Sequence, residues 1–147
     1  MPGVRESTLA RFAGKAARAV KLKGSINILV TSSRELQALN RRFRGKDMPT
    51  DVLSFPPMAN FSTGLAGDIA ISAEIAARNA KALGHSTADE IKTLALHGIL
   101  HLAGYDHEQD NGAMAKQEEK LRRSLGLPVS LTERSGRSTS RDSRPPR

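Results

Sequence analysis

The residues of this chain best spaced for chemistry are His97, His101 and His107. They stand in His97-Gly98-Ile99-Leu100-His101-Leu102-Ala103-Gly104-Tyr105-Asp106-His107, an H-x3-H-x5-H pattern. On a helix, residues four apart share a face one turn apart, about 5–6 Å between Cβ atoms. His97 and His101 should therefore stand side by side. They are the only polar side chains between Leu94 and Leu102. A helix apolar on every side is a buried helix, and imidazoles on it need partners. One cation satisfies both. Catalytic zinc takes three protein ligands and leaves a fourth, tetrahedral position for water. The third ligand requires a chain reversal. Gly104 stands where the helix should end, and glycine takes the left-handed conformation of a helix C-cap. His107, three residues on, can then return toward the same ion. The chain has 0 cysteines, which excludes thiolate zinc fingers, iron–sulfur clusters, disulfide scaffolds and thiol nucleophiles. An open three-histidine site reads as catalytic, activating water near neutral pH. The expectation is one zinc ion, although other divalent metals suit the same ligands.

The spacing also matches the metzincin protease pattern H-E-x-x-H-x-x-G-x-x-H. Where that pattern carries its general-base glutamate, this chain has Gly98. Peptide hydrolysis thereby loses its proton acceptor, and a missing side chain beside the ion should leave room for a larger substrate group. Phosphodiester cleavage depends more on positive charge at the developing oxyanion, which a metal and an arginine supply. Arg41, Arg42, Arg44 and Lys46 form the densest basic cluster of the ordered region. Arginine grips phosphate bidentately, but cations at a helix C-terminus also simply favour its dipole; spacing leaves both open. Asp106 could orient a ligand or occupy a surface turn. Asp68 reads as a structural hydrogen-bonding residue, Thr50 and Asp51 as setting a turn, and Glu108 and Asp110 as a solvated helix start. His85 is not counted as a ligand. Tyr105 reads as a half-buried anchor rather than a base-stacking residue.

The elements that must position these residues follow from period and punctuation. A basic amphipathic helix is expected over Thr8 to Lys23, ended by Gly24. Ser25 to Thr31 is an apolar, β-branched strand. Ser32 to Glu35 is a capping box, opening a helix through Phe43 that stops near Gly45. Strands follow at Asp51 to Phe55 and Asp68 to Ser72, then a helix over Ser72 to Leu83 ended by Gly84. A second capping box, Thr87 to Glu90, opens the histidine helix, which runs to about Ala103. A final helix spans Gly112 to Leu125. The fold class is α+β: one domain, a small mixed sheet packed by about five helices, with the metal site on a buried helix. Residues 1–127 form that domain. Residues 128–147 form a basic tail, rich in Ser, Arg and Gly from Ser135 on, which cannot bury enough apolar surface to order itself.

The formal charge is +8 and unevenly spread. Residues 1–50 hold 11 basic and 3 acidic residues, residues 51–125 hold 7 and 10, and the last 22 hold 5 and 2. A basic surface suits a polyanion, most simply nucleic acid. With no Trp, 1 Tyr and 4 Phe, an aromatic sheet stacking several bases is excluded. No run approaches the roughly 20 apolar residues of a membrane span, and the first residues lack a signal-peptide pattern. The expectation is a cytoplasmic protein with no membrane partner.

The histidine block, with Phe43 to Pro56 (FRGKDMPTDVLSFP) and Gly67 to Ser72 (GDIAIS) upstream, resembles the YbeY family of bacterial metallo-endoribonucleases. The resemblance runs from about Ile26 to Leu125. It implies a single-domain fold with a metzincin-like metal site. The activity it implies is a zinc-dependent cut in single-stranded RNA, serving maturation of the 3′ end of 16S ribosomal RNA in the small ribosomal subunit and late ribosome quality control. It implies no nucleotide cofactor. His97, His101 and His107 match the family's metal ligands, and Arg44 matches an arginine associated with RNA handling. On this reading His97 and Arg44 are catalytic, and Arg44 also binds substrate. Two other readings use the same residues: a zinc metallopeptidase, and a non-catalytic RNA-binding ribosome assembly factor whose metal staples the fold.

Overall fold

The computed structural model describes residues 5–45, 50–55, 65–105 and 112–128, the side chains of Arg44 and Leu65 excepted. Within them run α1 (Glu6–Ala19), β1 (Ser25–Thr31), α2 (Ser33–Arg44), β2 (Val52–Phe55), β3 (Leu65–Ser72), α3 (Ala73–Leu83), α4 (Thr87–Leu102) and α5 (Ala113–Ser124). Among the described residues no helix is long and apolar enough to cross a membrane.

The three strands form one mixed sheet in the order β1-β3-β2, so the last strand in sequence lies in the middle. β1 runs parallel to β3 and β2 antiparallel. Alternation along the strands supplies two apolar faces. Val52, Ile69 and Ile71 face α1 and α4, joining Leu9, Phe12, Ala16, Ile91, Leu96, Ile99 and Leu100 in the main core. Leu53 and Ala70 face the other way, against Leu36 of α2, with Leu39 and Phe55 at the margin. The sheet is therefore a slab between α4 and α2.

The caps show why the helices begin and end where they do. Ser32 accepts from the Glu35 amide at 3.1 Å, and Ser72 from the Ile75 amide at 3.1 Å. Gly45 and Gly84 close α2 and α3 in the left-handed conformation. Two expectations shift. The first helix ends at Ala19, not at Gly24: Lys21 itself turns left-handed (φ 60°), and the Leu22 amide donates to the Ala17 carbonyl at 2.9 Å. That is a Schellman closure built on a lysine, with Leu22 supplying the apolar contact. Nor is Thr87 the cap of α4. Ser86 caps it, accepting from the Asp89 amide at 3.0 Å, and Glu90 is wholly buried instead of capping.

β3 begins three residues before the expected Asp68, and the added stretch carries a bulge. Ser25 pairs with Leu65 but Ile26 pairs with Gly67, so Ala66 is the extra residue. Gly67 has φ +152°, and a Cβ on it would lie 2.7 Å from both the Phe55 carbonyl oxygen and Leu102 Cδ2. Only glycine lets β2, β3 and the end of α4 meet at this point.

Gly67→Ala should therefore overpack this junction, lowering stability by about 1–3 kcal/mol in urea or thermal unfolding. Unchanged stability would mean that the contact yields without cost.

Candidate metal centre

α4 is buried on all sides, as its composition requires. Ile91, Leu94, Leu96, Ile99 and Leu100 are 3% exposed or less, and His97 is 4% exposed. Its end is the expected reversal: Gly104 takes φ 102°, its amide donates to the His101 carbonyl at 3.0 Å, and the Tyr105 amide donates to the Leu100 carbonyl at 3.0 Å. Tyr105 is the half-buried anchor, packed against the core.

His97 and His101 stand side by side. Their ring centroids are 4.8 Å apart at an interplanar angle of 69°, and their Nε2 atoms approach to 3.2 Å. Two lone pairs at that separation repel unless a proton or a cation lies between them. Two nitrogens at zinc bond lengths of about 2.0–2.1 Å with tetrahedral angles would be about 3.3–3.4 Å apart. The separation of the pair matches two nitrogens on one divalent cation as well as two sharing a proton.

The far side of His97 is held by a residue that the sequence reading passes over. Glu118 of α5 places Oε1 3.2 Å from His97 Nδ1, and its other oxygen pairs with Arg122. Glu118 and Arg122 are 7% and 5% exposed. A carboxylate at Nδ1 draws the ring proton there and leaves the Nε2 lone pair for a ligand, the usual arrangement behind a metal-bound histidine. A signal for Glu118 existed. Met114, Glu118 and Leu121 fall on one helical stripe, and a glutamate within an apolar stripe, with arginine four residues on, marks a buried ion pair.

Gly98 does something other than expected. It opens no space beside the histidines: a Cβ there would lie 3.0–3.2 Å from Ile69 side-chain atoms. Its bare backbone seats α4 on β3. Any side chain at this position would crowd Ile69.

The remaining candidates divide. His107 and Asp106 lie outside the described residues, as do Lys46, Glu108 and Asp110; among the described residues no group of three potential ligands gathers. Arg44 is the last residue of α2, and its side chain lies outside the described set. His85 is away from the pair, with Nε2 2.8 Å from Glu90 Oε1, a buried tie between the α3–α4 turn and α4. Asp68 is structural, accepting from Asn27 Nδ2 at 3.0 Å. The buried Asp51 carbonyl accepts from the Ser72 amide at 3.0 Å, fixing the entry to β2.

Comparison with known proteins adds to this geometry. The family model described as Endoribonuclease YbeY matches residues 5–126. A protein of that name from Koribacter versatilis is 53% identical over 91% of this chain and 86% of its own length. The one from Solibacter usitatus is 46% identical over 89% and 86%, and one from Helicobacter pylori 45% over 74% and 77%. The solution structure of TM1509 from Thermotoga maritima superposes with a TM-score of 0.55 at 30% identity, over 97% of this chain and 93% of that one.

If Glu118 sets the His97 tautomer, Glu118→Gln should weaken zinc binding by about 10- to 100-fold. Competition against a chromogenic chelator measures this, with circular dichroism confirming the fold. Unaltered affinity would reduce Glu118 to a partner of Arg122.

Proposed function

This chain belongs to the endoribonuclease YbeY family, and from that premise we propose that it cuts single-stranded RNA by hydrolysis, using one divalent metal ion held by His97, His101 and His107. The observation that carries this reading is the convergence of the His97 and His101 Nε2 atoms at 3.2 Å, with Glu118 behind His97. Zinc suits an all-imidazole donor set. When bound, the ion supplies positive charge against phosphoryl oxygens and makes water acidic enough to attack near neutral pH.

The protein's own groups do the rest. Gly104 ends α4 in the left-handed conformation just after His101, and the motif supplies His107, three residues on, as the third ligand. Glu118 holds the His97 ring in the tautomer that presents Nε2. Arg44, at the end of α2, grips a phosphate through its planar fork and spreads the charge that develops as the bond breaks. Residues 1–50, with 11 basic and 3 acidic residues, and the tail 128–147 add attraction along the RNA backbone. In this reading the domain proper is 1–127. The substrate is ribosomal RNA of the small subunit, at the 3′ end of 16S, and the site of action is the cytoplasm.

The peptidase alternative is disfavoured by Gly98. With Gly98 at the general-base position the chain lacks the peptidase's proton acceptor, and a Cβ there would crowd Ile69.

Chelation should abolish cleavage of a single-stranded RNA carrying a 16S-like 3′ end, and zinc should restore it. A folded His97→Ala, His101→Ala variant should be inactive with or without zinc. Cleavage that persists in that variant would overturn the reading. RNA binding without turnover in all samples would favour the assembly-factor alternative.

Arg44→Ala should lower kcat by about 100- to 1,000-fold. Arg44→Lys should recover only part of that loss, because an ammonium lacks the bidentate fork. Equal activity of Arg44→Ala and the parent would remove Arg44 from the site.

A further inference from the structure

Phe43 is the most exposed large apolar side chain among the described residues, at 60%. A single exposed apolar residue ordinarily needs no explanation, but this one is held in place. Its ring meets Phe55 edge-on, with centroids 5.5 Å apart and an interplanar angle of 67°. The Arg42 guanidinium carbon lies 5.7 Å from its centroid. Arg41 and Arg42 are themselves exposed. An exposed ring held edge-on by a second ring, with one cation over a face, resembles no part of a core.

Its place in the fold matters as much. Phe43 is in the last turn of α2, one residue before Arg44. Its partner Phe55 ends β2, and the Phe55 carbonyl packs with Leu102 around Gly67. Leu102 is the last residue of α4 and adjoins His101 in sequence. The aromatic pair and the C-terminal end of the histidine helix therefore share one end of the sheet.

We propose that the Phe43 ring is a stacking platform for one unpaired base of the RNA substrate, with Arg42 meeting the adjoining phosphate. The proposal rests on the reading of this chain as an RNA-cutting enzyme and adds to it a source of single-strand preference. Every base has a π-face, so an aromatic platform accepts any sequence. Bases in a duplex are already stacked on one another, so only an unpaired base can be splayed onto the ring. The charge of this region suits RNA better than a protein surface: the first fifty residues carry the chain's largest positive excess.

The test compares full-length parent, Phe43→Ala, Phe43→Leu and Phe43→Trp. Each is titrated with a short fluorescein-labelled single-stranded RNA and with the same RNA made abasic throughout its central stretch. Phe43→Ala should weaken binding of the base-bearing RNA by about tenfold. Phe43→Leu, which keeps apolar bulk but no π-face, should weaken it nearly as much, and Phe43→Trp should restore it. The abasic RNA should bind all four alike. Equal affinity of parent, Phe43→Ala and Phe43→Leu for the base-bearing RNA would overturn the proposal, as would equal losses on the abasic strand. Cleavage is read in the same samples. Parent that cleaves with no Phe43 effect on binding overturns stacking alone. Parent that shows the effect without cleaving supports stacking and overturns the nuclease reading.

Discussion

Placing two imidazoles on a helix with no wet side constrains everything around them. A buried polar ring must find a partner or cost the fold the free energy of its lost hydration. His97 meets that demand twice over, with Glu118 at one nitrogen and His101 beside the other. The arrangement fixes the position of α5, because Glu118 can reach His97 only if α5 packs across α4. It also fixes the charge balance there: Glu118 needs Arg122, which is buried with it. The histidine pair and the α4–α5 contact are thus one structure, and the acid behind His97 is also half of an ion pair with Arg122.

The remaining architecture serves to bring α4 down onto the sheet. Gly98 removes the side chain that would keep α4 away from Ile69, and Gly67 removes the one that would collide with Leu102. Two glycines, one on each partner, set the height of the histidines above β3. α2 packs on the opposite face, so the arginine-rich end of that helix and the histidine-bearing end of α4 approach the same edge from opposite sides of a sheet one strand thick.

Much of this was legible in the sequence. The histidine helix, its apolar surround, the Gly104 reversal and all three strands follow from period, spacing and turn chemistry. What was not legible depends on contacts distant in sequence. The lysine that closes α1 carries no local mark, since any residue can be forced left-handed when a Schellman closure and an apolar contact hold it. Glu90 looks like a capping acid because capping boxes are read locally; its burial beside His85 depends on how α3 turns into α4. Gly98 invites a reading in terms of substrate because it adjoins a candidate ligand, whereas a Cβ on it would meet Ile69. Glu118 draws no notice in the sequence because its neighbours in the chain are charged, though its stripe partners Met114 and Leu121 are both buried. The third histidine and the Arg44 side chain lie outside the described residues, and their roles stand on the motif.

The strand order has a consequence for how the chain is made. Among the described residues, β1 and β2 both pair with β3 and with no other strand. Emerging from a ribosome, residues 25–55 therefore present two strands with nothing to pair with until residue 72 has cleared the exit tunnel. The parallel β1–β3 ladder spans some forty residues, the kind of distant closure that slows folding. In that interval the β-branched segment Ile26 to Val30 has free edges that invite aggregation. Helix α2, which is locally capped by Ser32 and Gly45, can form while the ribosome is still translating β3. By packing Leu36 against Leu53 it can cover one apolar face of β2 before β3 arrives, while the edges of β1 stay open until β3 pairs with it.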